Sequence, residues 1–201
     1  MTTALQKTAT NNTVALTIAA TPFAIRAERG SDIAAREALL DVCFGASRHA
    51  RTCQRLRDGR LPAEGLAFSV VAQGRLVGTI RLWHVDAGGQ AALMLGPLAV
   101  DPSCRELGIG AELMKHAIAA ATALGHGAVI LLGDEPYYSR FGFSPAKMEG
   151  MSLPGPFERH RLLGLELRPG ALDGAAGLIV ATGRTAPSRR ARTASPAARA
   201  A

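Results

Sequence analysis

The sequence predicts an α+β fold: a mixed, mainly antiparallel sheet flanked by helices, with one parallel pair of strands near its centre. Three observations carry this. Residues 66–72, 77–85 and 92–100 are apolar, β-branched runs joined by short Gly-containing links, the pattern of an antiparallel meander. An amphipathic stretch at 108–124 follows, and after it comes the continuously apolar AVILLG of 128–133. Strand, helix and doubly buried strand in that order imply a right-handed crossover, which makes the last strand parallel to the one before the helix.

The elements follow in chain order. Residues 23–28 alternate as a short strand. Ser31 or Asp32 is placed to cap a helix reaching Phe44, with Ile33, Leu40 and Phe44 on its inner face. Ser47 is placed to cap a second helix through Arg57, turning Ala50, Cys53 and Leu56 inward and Arg48, Arg51 and Arg55 outward. That arginine row reads either as a surface for an anionic ligand or as a solvated face. Gln73 and Gly74 begin the first hairpin link, and Asp86 to Gln90 form the second. Asp101 and Pro102 stop the third strand of the meander. The helix of 108–124 sets Ile109, Leu113, Ala117 and Leu124 on one side, and Gly125 ends it. Pro136 opens a brief helix reaching Phe141. Residues 161–167 are a later strand, and 177–181 another. No segment repeats.

Composition bounds the function. The 201 residues amount to roughly one to one-and-a-half domains. With 48% hydrophobic and 19% charged residues, the body can fold into a globule. No stretch approaches the roughly 18–20 uninterrupted apolar residues of a membrane span. The net charge is +7, but Arg184, Arg189, Arg190, Arg192 and Arg199 lie together without an acid, which leaves +2 for the rest. The body is therefore only mildly basic and gives no reason to expect nucleic acid as a partner. Residues 1–21, rich in Thr and Ala, lack the charged and apolar regions of a secretory signal and read as a disordered leader. Residues 184–201 read as a disordered basic tail, leaving 22–183 as the folded domain. Cys43, Cys53 and Cys104 are far apart and odd in number, which suits a reducing cytoplasm and implies neither a disulfide framework nor a metal site.

The chemistry is carried by 93–143. Arg105, Glu106, Leu107, Gly108, Ile109 and Gly110 stand between a strand and a helix. The first turn of a helix has unpaired N–H groups and the positive end of its dipole, so it attracts phosphate. Gly108 and Gly110 remove side chains that would hold a diphosphate off the backbone, and Arg105 adds a fixed charge. A P-loop is excluded because no Lys follows a Gly in the required frame. A dinucleotide fingerprint is excluded because its third glycine position is Leu113 and the unit before it is a meander. Taken alone, the two glycines would only permit a tight turn.

Their company decides otherwise. The order of meander, RxxGxG turn, amphipathic helix, buried strand and YYSRFGF resembles the Gcn5-related N-acetyltransferase (GNAT) superfamily over about 23–167, most strongly over 93–143. The LGPLAV, GD and YYSRFGF pieces resemble a bacterial branch of small, mostly uncharacterised acetyltransferases. The resemblance implies an acetyl-CoA-dependent transferase that needs no metal, has an amine of a small molecule or protein as acceptor, and is a monomer or homodimer. It implies that the diphosphate rests on the amides of Glu106, Leu107, Gly108, Ile109, Gly110 and Ala111. The pantetheine arm then runs beside Leu98, Ala99 and Val100 as an added strand would. The thioester lies where the strands of 93–100 and 128–133 splay apart. Pro97 cannot donate to a ladder, which fits an opening there. The superfamily mechanism is direct attack by the amine, which needs an oxyanion donor and an acid for the thiolate. The backbone N–H of Leu98 is the candidate donor. Tyr138, four residues before Gly142, is the candidate acid, with Tyr137 as its rival. Many relatives carry a carboxylate on the strand where Gly96 and Pro97 stand here, so the base is open. Asp134 is one candidate, equally readable as a helix cap, and a water chain is another. His84, on a strand face with Ile80 and Leu82, reads as a core residue. The acceptor side is expected from the two early helices and the loops around Glu64 and 153–157. The absent strand carboxylate keeps a second function open, an acyl-CoA-binding regulator without turnover.

Overall fold

The computed structural model describes residues 23–187. Eight strands form one sheet: β1 (Ala24–Ala27), β2 (Ala67–Ala72), β3 (Arg75–Ala87), β4 (Ala91–Val100), β5 (Ala128–Leu132), β6 (Met151–Ser152), β7 (Leu162–Glu166) and β8 (Gly177–Ala181). Their spatial order is β1-β2-β3-β4-β5-β7, and β8 joins the far end of β3 beside β6. All neighbours along that path are antiparallel except β4 and β5, which run parallel, as the crossover argument requires. The short β6, only two residues long, carries too little pattern to be read from the sequence.

Helices α1 (Ile33–Phe44), α2 (Ile109–Ala123) and the single turn α3 (Glu135–Tyr138) flank the sheet. On one side α2 buries Ile109, Leu113, Met114, Ala117 and Ala121 against Val70, Ile80, Leu93, Leu95, Val129 and Leu131. The other side packs Trp83, Met94, Ala128 and Ile130 against Met148, Met151, Leu153 and Leu172. Residues of β5 thus alternate between two cores, which is why its sequence is apolar throughout. Gly78 on β3 brings α2 close: a Cβ there would lie 3.1 Å from Ile109 and 3.2 Å from Leu113. No helix among the described residues is long and apolar enough to cross a membrane.

Four details differ from expectation. Ile33 is 50% exposed, because the inner position of the first helical turn belongs to Arg36, paired with Glu28 and Glu37. The second early helix is replaced by two 3₁₀ turns, Ala46–Ala50 and Thr52–Leu56, broken where Arg51 is extended (φ −68°, ψ 143°). Ala50 is exposed there, and Arg48 turns back to Glu37 and Asp41. Leu124, past the end of α2, is also exposed. Residues 184–187, counted with the tail by composition, run beside 59–61: Leu61 N donates to Arg184 O and Ala186 N to Gly59 O, each at 2.8 Å. The expected leader and the remainder of the tail lie outside the described residues.

Candidate active site

The site begins with a defect in β4. Its register against β3 passes from Leu95↔Leu82 to Leu98↔Ile80, so Gly96 and Pro97 together oppose Arg81. This is a β-bulge, and Pro97, which lacks an N–H, is tolerated in it. The extra residue inverts which face each side chain meets. Before the bulge Leu93 and Leu95 enter the α2 core; after it Leu98 and Val100 pack there, while Ala99 turns to Leu39 and Leu40 of α1. The indole N–H of Trp83 donates to Gly96 O at 2.6 Å and pins the defect. Gly96 has φ +132°, a conformation that favours glycine.

On the other flank, β4 pairs with β5 only at Leu93↔Val129 and Met94↔Ile130. Beyond those pairs the strands part, and two cavities meet at the opening. The first, of about 450 Å³, is lined by Leu98, Ala99 and Val100 of β4, by Arg105, Glu106, Gly108, Gly110 and Ala111 of the turn into α2, and by Cys43, Phe44, Tyr137 and Arg140. The second, of about 680 Å³, lies between β4 and β5 residues on one side and the segments 46–58 and 156–161 on the other. Leu98 and Phe44 line both.

The first cavity suits an elongated anion. Asp101 caps the 3₁₀ turn Pro102–Leu107 by accepting from Ser103 N at 2.9 Å, and Gly108 (φ +73°) redirects the chain into α2. The first hydrogen bonds of α2 run from Ala111 N and Glu112 N to Gly108 O, at 3.0 and 3.1 Å. The preceding amides of Ile109 and Gly110 have no carbonyl one turn back within the helix, and Gly110 lines the cavity. The side chains of Leu107 and Ile109 turn into the core, so these two offer only backbone. Arg105 and Arg140 supply positive charge, the latter stacked 4.6 Å over the ring of Tyr137. No sequence spacing marks Arg140, because only the fold brings the 3₁₀ turn Ser139–Phe141 to the mouth of α2. Gly110 leaves space that a side chain would fill: a Cβ there would stand 2.9 Å from the hydroxyl of Tyr137.

Tyr138 lines the second cavity. Its ring meets Tyr137 edge-on at 4.9 Å and Phe143 at 6.0 Å. Burial, with Tyr137 and Asp134 adding to it and Arg161 opposing, pushes its hydroxyl up to about 12. Tyr137, its rival, lines the first cavity instead. Asp134 precedes α3, yet its side chain makes no capping bond; it pairs with Arg161 at 3.1 Å and is 76% exposed at the cavity mouth. His84 lies beside His126, ring centroids 5.4 Å apart, and lines neither cavity. Of the loops assigned to the acceptor side, 153–157 contributes Pro156 and Phe157 to the second cavity and Glu64 does not line it. Arg57, the last residue of the segment read as a helix, points into that cavity and is the second charge the sequence left unmarked. Among the described residues, no group of three His, Cys, Asp or Glu is arranged to hold a metal ion.

Comparison with known proteins agrees with this geometry. Residues 64–145 match the family model described as an acetyltransferase (GNAT) domain. The chain is 31% identical over 162 residues to the uncharacterised N-acetyltransferase YhbS of Escherichia coli, covering 77% of this chain and 93% of that protein. A crystal structure of E. coli YhbS in complex with CoA is similar with a TM-score of 0.69 at 29% identity, over 81% of this chain and 91% of that one. A Brucella melitensis GNAT-family acetyltransferase in complex with acetyl-CoA has a TM-score of 0.59 at 26% identity, over 81% and 97%. The chain belongs to the GNAT family of N-acetyltransferases.

Proposed function

We propose that the protein transfers the acetyl group of acetyl-CoA directly to an amine at the opening between β4 and β5. The observation that carries this is the meeting of two cavities at Leu98. An anion-receptive, backbone-lined cavity arrives from one side, and a cavity holding a half-buried phenol arrives from the other. The solved relatives in complex with CoA and acetyl-CoA support a coenzyme as the ligand, and the anion-receptive character of the first cavity is our ground for putting it there. In this reading the diphosphate takes the amides of 106–111 and the charge of Arg105. The pantetheine arm follows Leu98, Ala99 and Val100, and the N–H of Leu98 receives the oxyanion.

The amine lone pair attacks the thioester carbonyl carbon, a C–N bond forms, and the C–S bond breaks. Tyr138 donates its phenolic proton to the departing sulfur and regains one from solvent. The carboxylates that line the acceptor cavity are Asp134 and Glu158, and Asp134 stands two residues past the end of β5. We therefore give Asp134 the proton that leaves the attacking nitrogen. The three free thiols, Cys43, Cys53 and Cys104, support a reducing cytoplasm as the setting.

The test is calorimetry with acetyl-CoA followed by thiol release with a panel of amines. Saturable binding and amine-dependent release are expected; no binding of any CoA thioester would end this reading. Gly110→Val should weaken coenzyme affinity by about tenfold or more, the loss of one or two backbone contacts to charged oxygens, with an unchanged far-UV spectrum. Wild-type affinity in that variant would move the diphosphate elsewhere. A second reading, coenzyme binding without turnover, draws on Gly96 and Pro97, which offer no carboxylate beside the opening. Tight binding with no release for any amine would favour it.

A further inference from the structure

The acceptor cavity carries positive charge that its own side chains leave uncompensated. Six charged residues line it: Arg48, Arg51, Arg57, Asp134, Glu158 and Arg161. Both acids face Arg161, Asp134 at 3.1 Å and Glu158 at 3.8 Å. Arg48 is committed outside the cavity, donating to Glu37 at 2.6 Å and to Asp41 at 2.7 Å. Arg51 lies at the exposed rim, 5.1 Å over the ring of Phe44. Arg57 is different. Its Nε donates to Cys53 O at 3.0 Å, and among the described residues it forms no ion pair with any carboxylate. Burial presses the guanidinium down from its ordinary range, yet an arginine side chain remains charged. Exposed Asp58 acts on this charge only from beyond ion-pair distance, and a half-buried cation paired with one carbonyl alone is costly unless an anion arrives to meet it.

Its position says what that anion belongs to. Nη1 of Arg57 lies 3.9 Å from where a Cβ on Gly96 would be, beside the bulge that flanks the opening. Because residue 96 is glycine, no side chain stands between the guanidinium and that backbone. The segment carrying Arg57 is fixed over the cavity by Thr52 Oγ1 donating to Pro156 O and Arg55 Nη1 donating to Pro154 O at 2.5 Å.

We propose that Arg57 selects the acceptor: the amine is a small molecule that also bears a carboxylate, as a free amino acid does, and Arg57 holds that carboxylate while the nitrogen reaches the thioester. This rests on the transfer reading above and narrows it. The two Nη groups of Arg57, free of the Cys53 contact, present the planar fork that pairs with a carboxylate. A cavity of about 680 Å³ is of small-molecule size. A lysine within a protein chain has its own carboxyl consumed in a peptide bond, so the residue itself offers Arg57 no carboxylate.

The test uses matched pairs, the free amino acids against their carboxamides, with wild type, Arg57→Met and Arg57→Lys. Thiol release from acetyl-CoA gives kcat and KM, and ligand-observed NMR with CoA-saturated protein reads acceptor binding without turnover. Wild type is expected to favour at least one free acid over its amide by about tenfold or more in kcat/KM. Arg57→Met should bring that ratio near one through KM, Arg57→Lys should keep part of it, and coenzyme affinity should not change. Equal or better use of amides by wild type would overturn the proposal, as would an acid preference that survives Arg57→Met. If nothing is turned over, the transfer reading fails and the NMR arm still decides. Carboxylate-selective binding lost in Arg57→Met supports the site, and no selective binding overturns it. Should the Met variant not fold, the Lys variant is read by the same ratio.

Discussion

Tyr138→Phe is expected to lower kcat for acetyl transfer by about 10²-fold, with coenzyme affinity near the wild-type value. The expectation follows from how the ring is held. A Cβ on Gly133, at the end of β5, would fall 2.8 Å from Cδ2 of Tyr138 and closer still to Cε2, so the ring lies directly across that glycine. Tyr137 and Phe143 close its other sides. Burial keeps the hydroxyl protonated up to about 12, so the donor is always loaded at any pH at which the enzyme would be assayed. Its weakness as an acid is tolerable because a thiol ionises near 8.5, and a departing thiolate needs a hydrogen bond more than complete protonation. The sign is therefore definite. Activity should rise with pH as the acceptor amine loses its proton, and no alkaline fall due to Tyr138 should appear until close to 12. A rate profile measured with wild type and Tyr138→Phe checks both statements. Gly133→Ala should reproduce much of the defect, since the added methyl must displace the ring. Wild-type kcat in both variants would remove Tyr138 from the mechanism.

Arg36→Met should destabilise the fold by about 3 kcal/mol at neutral pH. Arg36 is 5% exposed, and its guanidinium reaches Glu28 and Glu37, each at 2.6 Å. Arg81 grips Glu28 from the sheet side. Removing Arg36 leaves Glu28, already raised by burial, short of one partner in a site with little water. Chemical denaturation of the two proteins measures the difference; a loss below 1 kcal/mol would mean that water replaces the cation freely. Asp32, 7% exposed next to this network, adds a pH dependence. It accepts from Arg26 at 2.6 and 2.8 Å, from Arg29 N at 2.9 Å and from Ser69 Oγ at 3.1 Å. These donors, Arg26 foremost, hold its carboxyl well below the usual carboxylate range. Its contribution is therefore complete above about pH 4 and fades as acid protonates it, and Asp32→Asn should flatten that part of the profile.

The parts of the fold that were legible are those in which local pattern and tertiary role coincide. The meander and the doubly buried β5 each announced themselves by periodicity, and the strand-to-helix turn with Gly108 and Gly110 by residue type. The segment 46–58 differs because tertiary contacts shape it: its backbone keeps only short 3₁₀ bonds such as Gln54 N to Arg51 O, while the side chains of Thr52 and Arg55 are tied to Pro156 and Pro154, about a hundred residues away. Arg36 differs for the same reason. A charged residue at an inner helical position is intelligible only once Glu28 and Arg81 are seen beside it. In the site, the family pattern marked Tyr138 and the turn residues, whereas Arg57 and Arg140 enter through contacts that no spacing encodes.

Phe44 and Leu98 aside, the two cavities share no lining residue among those described. The side chains proposed to grip the coenzyme and those proposed to choose its companion are thus nearly separate sets. Exchanging Arg51, Arg57 or Phe157, which line only the second cavity, should therefore alter acceptor choice and leave coenzyme affinity unchanged.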